Sequence, residues 1–332
     1  MTDTRTATII AAYNASATIE RAVVSALAEP ETHEVCVVDD ASADDTAELV
    51  ERLARADARV TLIRQTANAG PAAARNRAIE ATASPWIAVL DADDYVLPGR
   101  SAKLHARSAE ADFVAGTLMR VCEGEPTPAV ATSIPHGRQL TFSEFIEGNF
   151  NPGMLDLGFL KPVMRRDFID AHGLRYNEGL RLGEDYDFYA RAILHGARFL
   201  LLESPLGYVS VIRPGSISND HTDGDLLCMR DCDNTFENVR PLSAIERRTL
   251  RRHWLSVDCR LQWRRLINAV KARDFAGMVS TFRSPSVSGY LALRLVEQAW
   301  LRSVGGLFAQ RPVNASISSQ PRPRSCEPGA TS

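Results

Sequence analysis

Three carboxylates crowd into Asp91-Ala92-Asp93-Asp94, directly after the apolar run Trp86-Ile87-Ala88-Val89-Leu90. Their repulsion is unfavourable unless a cation or a donor-rich ligand offsets it, and hard oxygen ligands suit Mg²⁺ or Mn²⁺ bridged to phosphates. The plain alternative is that they sit in water and cap the helix after Pro98, as short acidic motifs commonly do. A second acidic pair, Asp39-Asp40, follows residues 35–38, and Tyr13-Asn14 supplies a ring able to stack on a base and a turn-forming amide. In Asn68-Ala69-Gly70-Pro71-Ala72-Ala73-Ala74-Arg75-Asn76, small residues allow close backbone approach. Arg75 then stands one turn into a helix, where it could reach a phosphate or carboxylate or form an ordinary surface ion pair. Gly183-Glu184-Asp185-Tyr186-Asp187 opens a helix with acids. They are dipole partners in the bland reading, and a general base for a hydroxyl nucleophile if one of them faces the first cluster.

These residues need a scaffold that converges them. Over the first hundred positions the pattern alternates strand and helix: strands at 6–12, 34–38, 60–63 and 86–90, and helices at 16–28 (capped by Ser16), 42–56 (a Ser42/Asp45 capping box) and 71–81 (opened by Pro71). That is the signature of a parallel sheet covered by helices, whose carboxyl edge is where ligands bind. Further on, strands are expected at 112–121, 159–165, 199–202 and 207–212. Short helices are expected after Thr141/Glu144 and at 183–194, the latter ended by Gly196, and from Asp223 to about Phe308 the reading is helical.

The chain has 332 residues with 45% hydrophobic and 24% charged residues, which excludes global disorder and mini-scaffolds. No apolar run reaches the roughly 20 residues of a membrane span, and no secretory leader is evident, so a cytoplasmic protein is expected. Six scattered cysteines without a Cys-x-x-Cys pair predict reduced thiols, and the seven histidines lack metal-ligand spacing. Gly-x-Gly-x-x-Gly, P-loop and Gly-x-Ser-x-Gly motifs are missing, which argues against dinucleotide enzymes, Walker NTPases and common serine hydrolases.

Charge divides the chain. Residues 1–238 carry a net −14, whereas residues 239–311 hold 14 Lys/Arg against 4 Asp/Glu, a net +10. In this basic arm Arg247, Arg248, Arg251, Arg252, Arg264 and Arg265 place several guanidinium groups on one helix face. Tyr290, Leu293, Trp300, Leu301, Val304 and Phe308 form an apolar stripe with Arg294 and Arg302 nearby. Two destinations fit: an anionic lipid surface carrying the acceptor, or the acidic body or a second subunit, which leaves an oligomer open. Nucleic acid does not fit, for want of interleaved stacking aromatics.

Taken in order, Ala12-Tyr13-Asn14, Val38-Asp39-Asp40-Ala41-Ser42, Asn68 to Asn76, Leu90-Asp91-Ala92-Asp93-Asp94 and Glu184-Asp185 resemble the family-2 glycosyltransferases of the GT-A fold. The resemblance is nearest to bacterial exopolysaccharide enzymes of the succinoglycan glucosyltransferase kind. It implies an α/β fold with a central, mostly parallel sheet flanked by helices and a helical C-terminal extension. The units it implies are a catalytic domain at 1–222 (nucleotide-sugar half about 1–110, acceptor half about 111–222), a basic helical extension at 223–310 and a disordered tail at 311–332.

The same resemblance implies a metal-dependent, inverting transfer of a single sugar from a nucleotide sugar, most often a UDP-sugar such as UDP-glucose. The acceptor would be a hydroxyl of a glycan or lipid-linked oligosaccharide, at the cytoplasmic face of the membrane. Ala11 and Tyr13 would flank the base, although the family commonly has proline or threonine where this chain has Ala11. Asp40 would accept a hydrogen bond from uracil, Arg75 would lie near the base or diphosphate, and Asp91 and Ala92 would lie by the ribose. Asp93 would hold Mg²⁺ or Mn²⁺, and Asp185, with Glu184 beside it, would be the base. One base suffices for inversion, whereas a retaining glycosidase needs two carboxylates about 5 Å apart. The Gln-x-x-Arg-Trp signature of processive members is absent from its usual place.

Readings from other classes fail on particulars. A phospho-receiver domain would need an aspartate after the next strand, where Ile63 is followed by Arg64 and Gln65. A haloacid-dehalogenase-like phosphatase would need Thr or Val after its second acid, where Asp94 stands. A silent nucleotide-binding scaffold would not keep every acid the chemistry needs.

Overall fold

The computed structural model describes residues 3–127, 129–130, 133–150, 156–212 and 222–305. Its first half is β1 (Thr6–Ala12), α1 (Ile19–Leu27), β2 (Thr32–Asp39), α2 (Thr46–Ala56), β3 (Val60–Arg64), α3 (Pro71–Ala81) and β4 (Trp86–Val89). These four strands pair in parallel in the order β3-β2-β1-β4. Alternate side chains pass to opposite faces, as a pleated strand requires. Ile10, Val35 and Val37 pack toward α1 and α2, while Ile9, Cys36 and Val38 pack toward α3. Being covered on both faces, the strands are almost continuously apolar.

The second half adds β5 (Tyr95–Val96), α4 (Arg100–His105), β6 (Phe113–Cys122), β7 (Gly137–Gln139), α5 (Phe142–Gly148), β8 (Val163–Arg165), α6 (Arg166–Ala171), α7 (Glu184–Leu194) and β9 (Phe199–Ile212). They extend the sheet as β4-β8-β6-β9-β5, with β7 also on β9. Because β8 runs antiparallel to both β4 and β6, it joins the two halves into one mixed, mostly parallel sheet. This is the GT-A layout.

Several local expectations change. Helix α1 begins at Ile19 rather than beside Ser16, whose amide instead donates to Asp44. The Ser42/Asp45 box does not form: Ala41 takes a left-handed φ of 59°, the Ser42 hydroxyl accepts from the Asn14 amide, and α2 starts at Thr46. The strand expected at 159–165 shrinks to β8, preceded by a short 3-10 turn at Leu157–Phe159. The two strands expected at 199–212 are one, β9, with register shifts where it pairs with β6. The Thr141/Glu144 capping box is formed as expected.

Beyond the sheet come α8 (Asp223–Cys232), α9 (Ala244–Ala272), α10 (Phe275–Ser280) and α11 (Pro285–Gly305). Helix α9 is tied to the body by a buried polar knot in which the Tyr186 hydroxyl and His253 Nδ1 both reach the carboxylate of Asp233, at 2.8 and 2.7 Å. Arginines of the arm do turn to nearby acids, Arg252 to Glu147 and Arg264 and Arg265 to Asp223. In α11, Tyr290 and Arg294 face inward, Arg294 lying over the Trp263 ring at 5.7 Å, whereas Leu293, Trp300 and Leu301 are exposed. The side chains of Arg302 and Val304, Phe308 and the tail at 311–332 lie outside the described residues. Among the described residues no helix is long and apolar enough to cross a membrane. Cys36, Cys228, Cys232 and Cys259 are free thiols.

Candidate active site

Parallel pairing aligns the ends of the first strands. Ala12 stands opposite Asp39, the Asp40 amide donates to the Ala12 carbonyl at 2.8 Å, and the Leu90 amide donates to Ile9 at 3.1 Å. The loops carrying Tyr13, Asp39, Asp40 and Asp91 therefore leave one edge together. Tyr13 is 51% exposed there, presenting a ring that no core packing requires. Its neighbour Asn14 holds a left-handed φ of 49° and accepts from the Ala43 amide at 2.9 Å, so the first two loops are stitched to each other. Ala11 is partly buried against the core.

Asp40 is tied into the loop that follows β3. Its carboxylate accepts from the Gln65 side chain and from the backbone amides of Ala69 and Gly70, at 2.7, 2.8 and 2.8 Å, and the residue is 3% exposed. It therefore shapes the loop into α3, where Gly70 takes a φ of 89°. The other acid of the pair, to which the resemblance gives no role, is buried: Asp39 Oδ2 accepts from the Ser42 amide, and its Oδ1 has no donor among the described residues. A buried acceptor without a donor is costly, and a water or a ligand N–H would satisfy it.

Helix α3 delivers Arg75 to the centre. At 5% exposure its guanidinium reaches Asp91 Oδ1 at 2.8 Å, Glu184 Oε1 at 2.7 Å and Asp185 Oδ1 at 3.4 Å. Asn76 beside it clasps the backbone of Tyr176 through both ends of its amide. One turn of helix thus fixes the segment leading to α7, where Gly183 with φ 80° turns the chain so that Glu184 and Asp185 open the helix inward.

The second cation, Lys161, was invisible in sequence because it belongs to no motif. Its Nζ lies 2.6 Å from Asp185 Oδ2 and 3.0 Å from Asp91 Oδ2. Burial pushes the Asp91 carboxyl up, but Lys161 and Arg75 override it and hold the group down at about 2. Burial raises Glu184, with Arg75 opposing. For Lys161, burial favours the neutral amine, yet Asp185 and Asp91 raise it above its ordinary value and keep the ammonium charged. Asp91, Arg75, Lys161, Glu184 and Asp185 thus form one buried network, in which a lone charge would be prohibitive and each charge is tolerated because it faces opposite ones, although Arg75 Nε finds no hydrogen-bond partner among the described residues.

The other acids of the Asp91 loop divide. Asp94 is 5% exposed and accepts from the Val211 amide at 2.9 Å; burial first, and then Asp91, raise it to about 7. It fastens the loop to β9. Asp93 is half-buried, with its carbonyl held by Arg21 at 2.7 Å, and Ala92 packs beneath the loop. Among the described residues no group of three or more His, Cys, Asp or Glu is disposed to hold a metal ion. A single carboxylate such as Asp93 fits a Mg²⁺-type ion that keeps its waters and takes its remaining ligands from substrate phosphates.

Comparison with known proteins agrees with this geometry. Residues 8–171 match the sequence profile of glycosyl transferase family 2. The succinoglycan biosynthesis protein ExoU of Rhizobium meliloti is 41% identical over 273 residues, covering 80% of this chain and 79% of that protein. ExoO of the same organism is 37% identical over 314 residues, covering 91% and 84%. Among solved structures, TarS of S. aureus in complex with UDP-GlcNAc superposes with a TM-score of 0.61 at 18% identity, covering 83% of this chain and 90% of that one. The mannosyltransferase PcManGT of Pyrobaculum calidifontis, in complex with GDP-Man and Mn²⁺, gives 0.55 at 16%, covering 92% and 87%.

Proposed function

The chain belongs to glycosyl transferase family 2, and from that premise we propose that it adds one sugar, with inversion, from a UDP-sugar to a hydroxyl of a glycan or lipid-linked oligosaccharide in exopolysaccharide assembly. The observation that carries the reading is the meeting of Asp91, from the end of β4, with Asp185, from the first turn of α7, through shared cations Arg75 and Lys161. Donor-side and acceptor-side carboxylates are thereby within one network. The similarity to ExoU and ExoO supports the exopolysaccharide setting.

In this reading Tyr13 stacks on the base and the orphaned Asp39 Oδ1 accepts its imide N–H, while Asp40 keeps the loop in shape. Asp91 and Ala92 lie along the ribose. Asp93 holds Mg²⁺ or Mn²⁺, which, when bound, offsets charge on the departing diphosphate. Asp185 takes the proton of the acceptor hydroxyl as that oxygen attacks the anomeric carbon from the face opposite the leaving group, with Glu184 anchoring Arg75 beside it. Arg75 holds both reacting sides at fixed separation, the positioning on which a bimolecular displacement depends.

A thermal-unfolding panel of UDP- and GDP-sugars with and without Mn²⁺ tests the donor class. A UDP-sugar at ~100 times its Kd stabilises the fold by ~3 kcal/mol, visible as a rise of several degrees that requires the metal. Equal unfolding temperatures across the whole panel would remove the reading.

A further inference from the structure

Lys161 lies in no motif, yet its side chain is 4% exposed, and both of its carboxylate contacts are to residues central to the reading above, on which this inference rests. Asp91 and Asp185 each give one oxygen to Arg75 and the other to Lys161, closing a ring of four charges. The two cations are held differently. Arg75 is braced by Glu184 at 2.7 Å and by the Tyr176 ring at 5.4 Å. Lys161 is braced through its backbone: its carbonyl accepts from the buried Arg100 guanidinium, which lies over the Tyr208 ring at 5.5 Å, and the Tyr208 hydroxyl accepts from the Asp91 amide at 3.1 Å. The loop of Asp91 and the stem of Lys161 are therefore built as one rigid piece.

We propose that Lys161 is a positioning residue for the transfer reaction: it holds Asp185 Oδ2, and with it the plane of the carboxylate that receives the acceptor's proton, in register with the donor side through Asp91. A carboxylate gripped at one oxygen by Arg75 can swing about that contact, and a second cation on the other oxygen removes the freedom. An ammonium suits the task because it is a compact point charge with three donors, able to sit between two carboxylates in less space than a second planar guanidinium would need. A base out of line by about 1 Å costs roughly 100-fold in rate. Among the described residues Lys161 pairs with Asp91 and Asp185 rather than with the Tyr13 and Asp39 loops, and Asp91 keeps its Arg75 contact when Lys161 is lost, so the rate is expected to fall far more than donor affinity.

The experiment measures UDP release from UDP-glucose, together with UDP affinity by calorimetry, for the wild type, Lys161→Met and Lys161→Arg. Lys161→Met is expected to lose about 100-fold in kcat with the UDP Kd within about threefold, and Lys161→Arg to fall between it and the wild type. Wild-type kcat in either variant, or loss of UDP affinity with kcat unchanged, overturns the proposal. Because the contact exists without donor, denaturant midpoints of Lys161→Met, Asp185→Asn and the double variant give an arm independent of turnover. Strongly non-additive shifts are expected, and additive ones overturn the contact. A wild type that binds neither UDP nor UDP-glucose contradicts the donor reading alone, and the unfolding arm still decides for Lys161.

Discussion

The residues of the acidic loop after β4 look alike in sequence and differ entirely in circumstance. Asp91 is ion-paired twice, Asp93 is half-buried at the loop, and Asp94 is sealed against β9. The last has a measurable consequence. Its carboxyl is raised to about 7 by burial and by Asp91, against an ordinary value near 3.8, so the folded state prefers it protonated. That preference stabilises the fold fully below about pH 4 and is lost as pH climbs through about 7. Asp94→Asn, neutral and nearly isosteric, is therefore expected to gain stability relative to the wild type between pH 5 and 8, in denaturant titrations at each pH. A difference that is flat across this range would show that Asp94 is already ionised in the fold. Such distinctions are not written in the sequence: Asp-Ala-Asp-Asp announces charge, while the tertiary partners Val211, Lys161 and Arg75 decide which acid keeps it. Lys161 was illegible for the same reason, as a lone lysine between a 3-10 turn and a strand carries no periodic or motif signal.

At the scale of elements, what could be read and what could not follow one rule. Helix α3 matches its expected span at both ends, because Pro71 at its first turn is a local signal that no distant group contests. The Thr141/Glu144 box forms for that reason too. The Ser42/Asp45 box fails because Asn14, far away in the chain, claims the serine hydroxyl. The C-terminal helices show the rule from the other side. The arm's charge and apolar stripe were legible, but their facing required the fold: Arg252 and Arg264 turn to acids, while Phe275, Val279, Leu293 and Val296 are 76%, 74%, 73% and 67% exposed. An apolar surface within a segment of net +10 is suited to an anionic bilayer, where a lipid-linked acceptor would be presented. We propose that α10 and α11 rest there. Phe275→Asp combined with Val279→Asp should abolish sedimentation with phosphatidylglycerol-containing liposomes while leaving neutral liposomes unbound in both proteins. Undiminished sedimentation of the double variant counts against this role. Removing the whole arm would be a poorer test, because His253 of α9 belongs to the buried knot with Asp233 and Tyr186.

Across the whole molecule, the parallel half of the sheet gathers the loops of Tyr13, Asp39 and Asp91 at one edge, and β8 joins that half to the segment that supplies α7. The order of motifs along the chain was enough to indicate this fold, since strand ends of a parallel sheet must share an edge. It did not reveal the salt-bridged network that bridges the halves, because ion pairs between residues 75, 91, 161 and 185 depend on packing rather than on spacing. On the proposed division of labour between the halves, affinity and rate are separable. Asp185→Asn preserves the shape of α7 and leaves the Tyr13 and Asp39 loops intact, so the most direct measurement pairs the UDP-sugar Kd of this variant with its rate of sugar transfer. The account predicts a Kd within about threefold of the wild type and a rate lower by roughly 100-fold or more; transfer at the wild-type rate would contradict it.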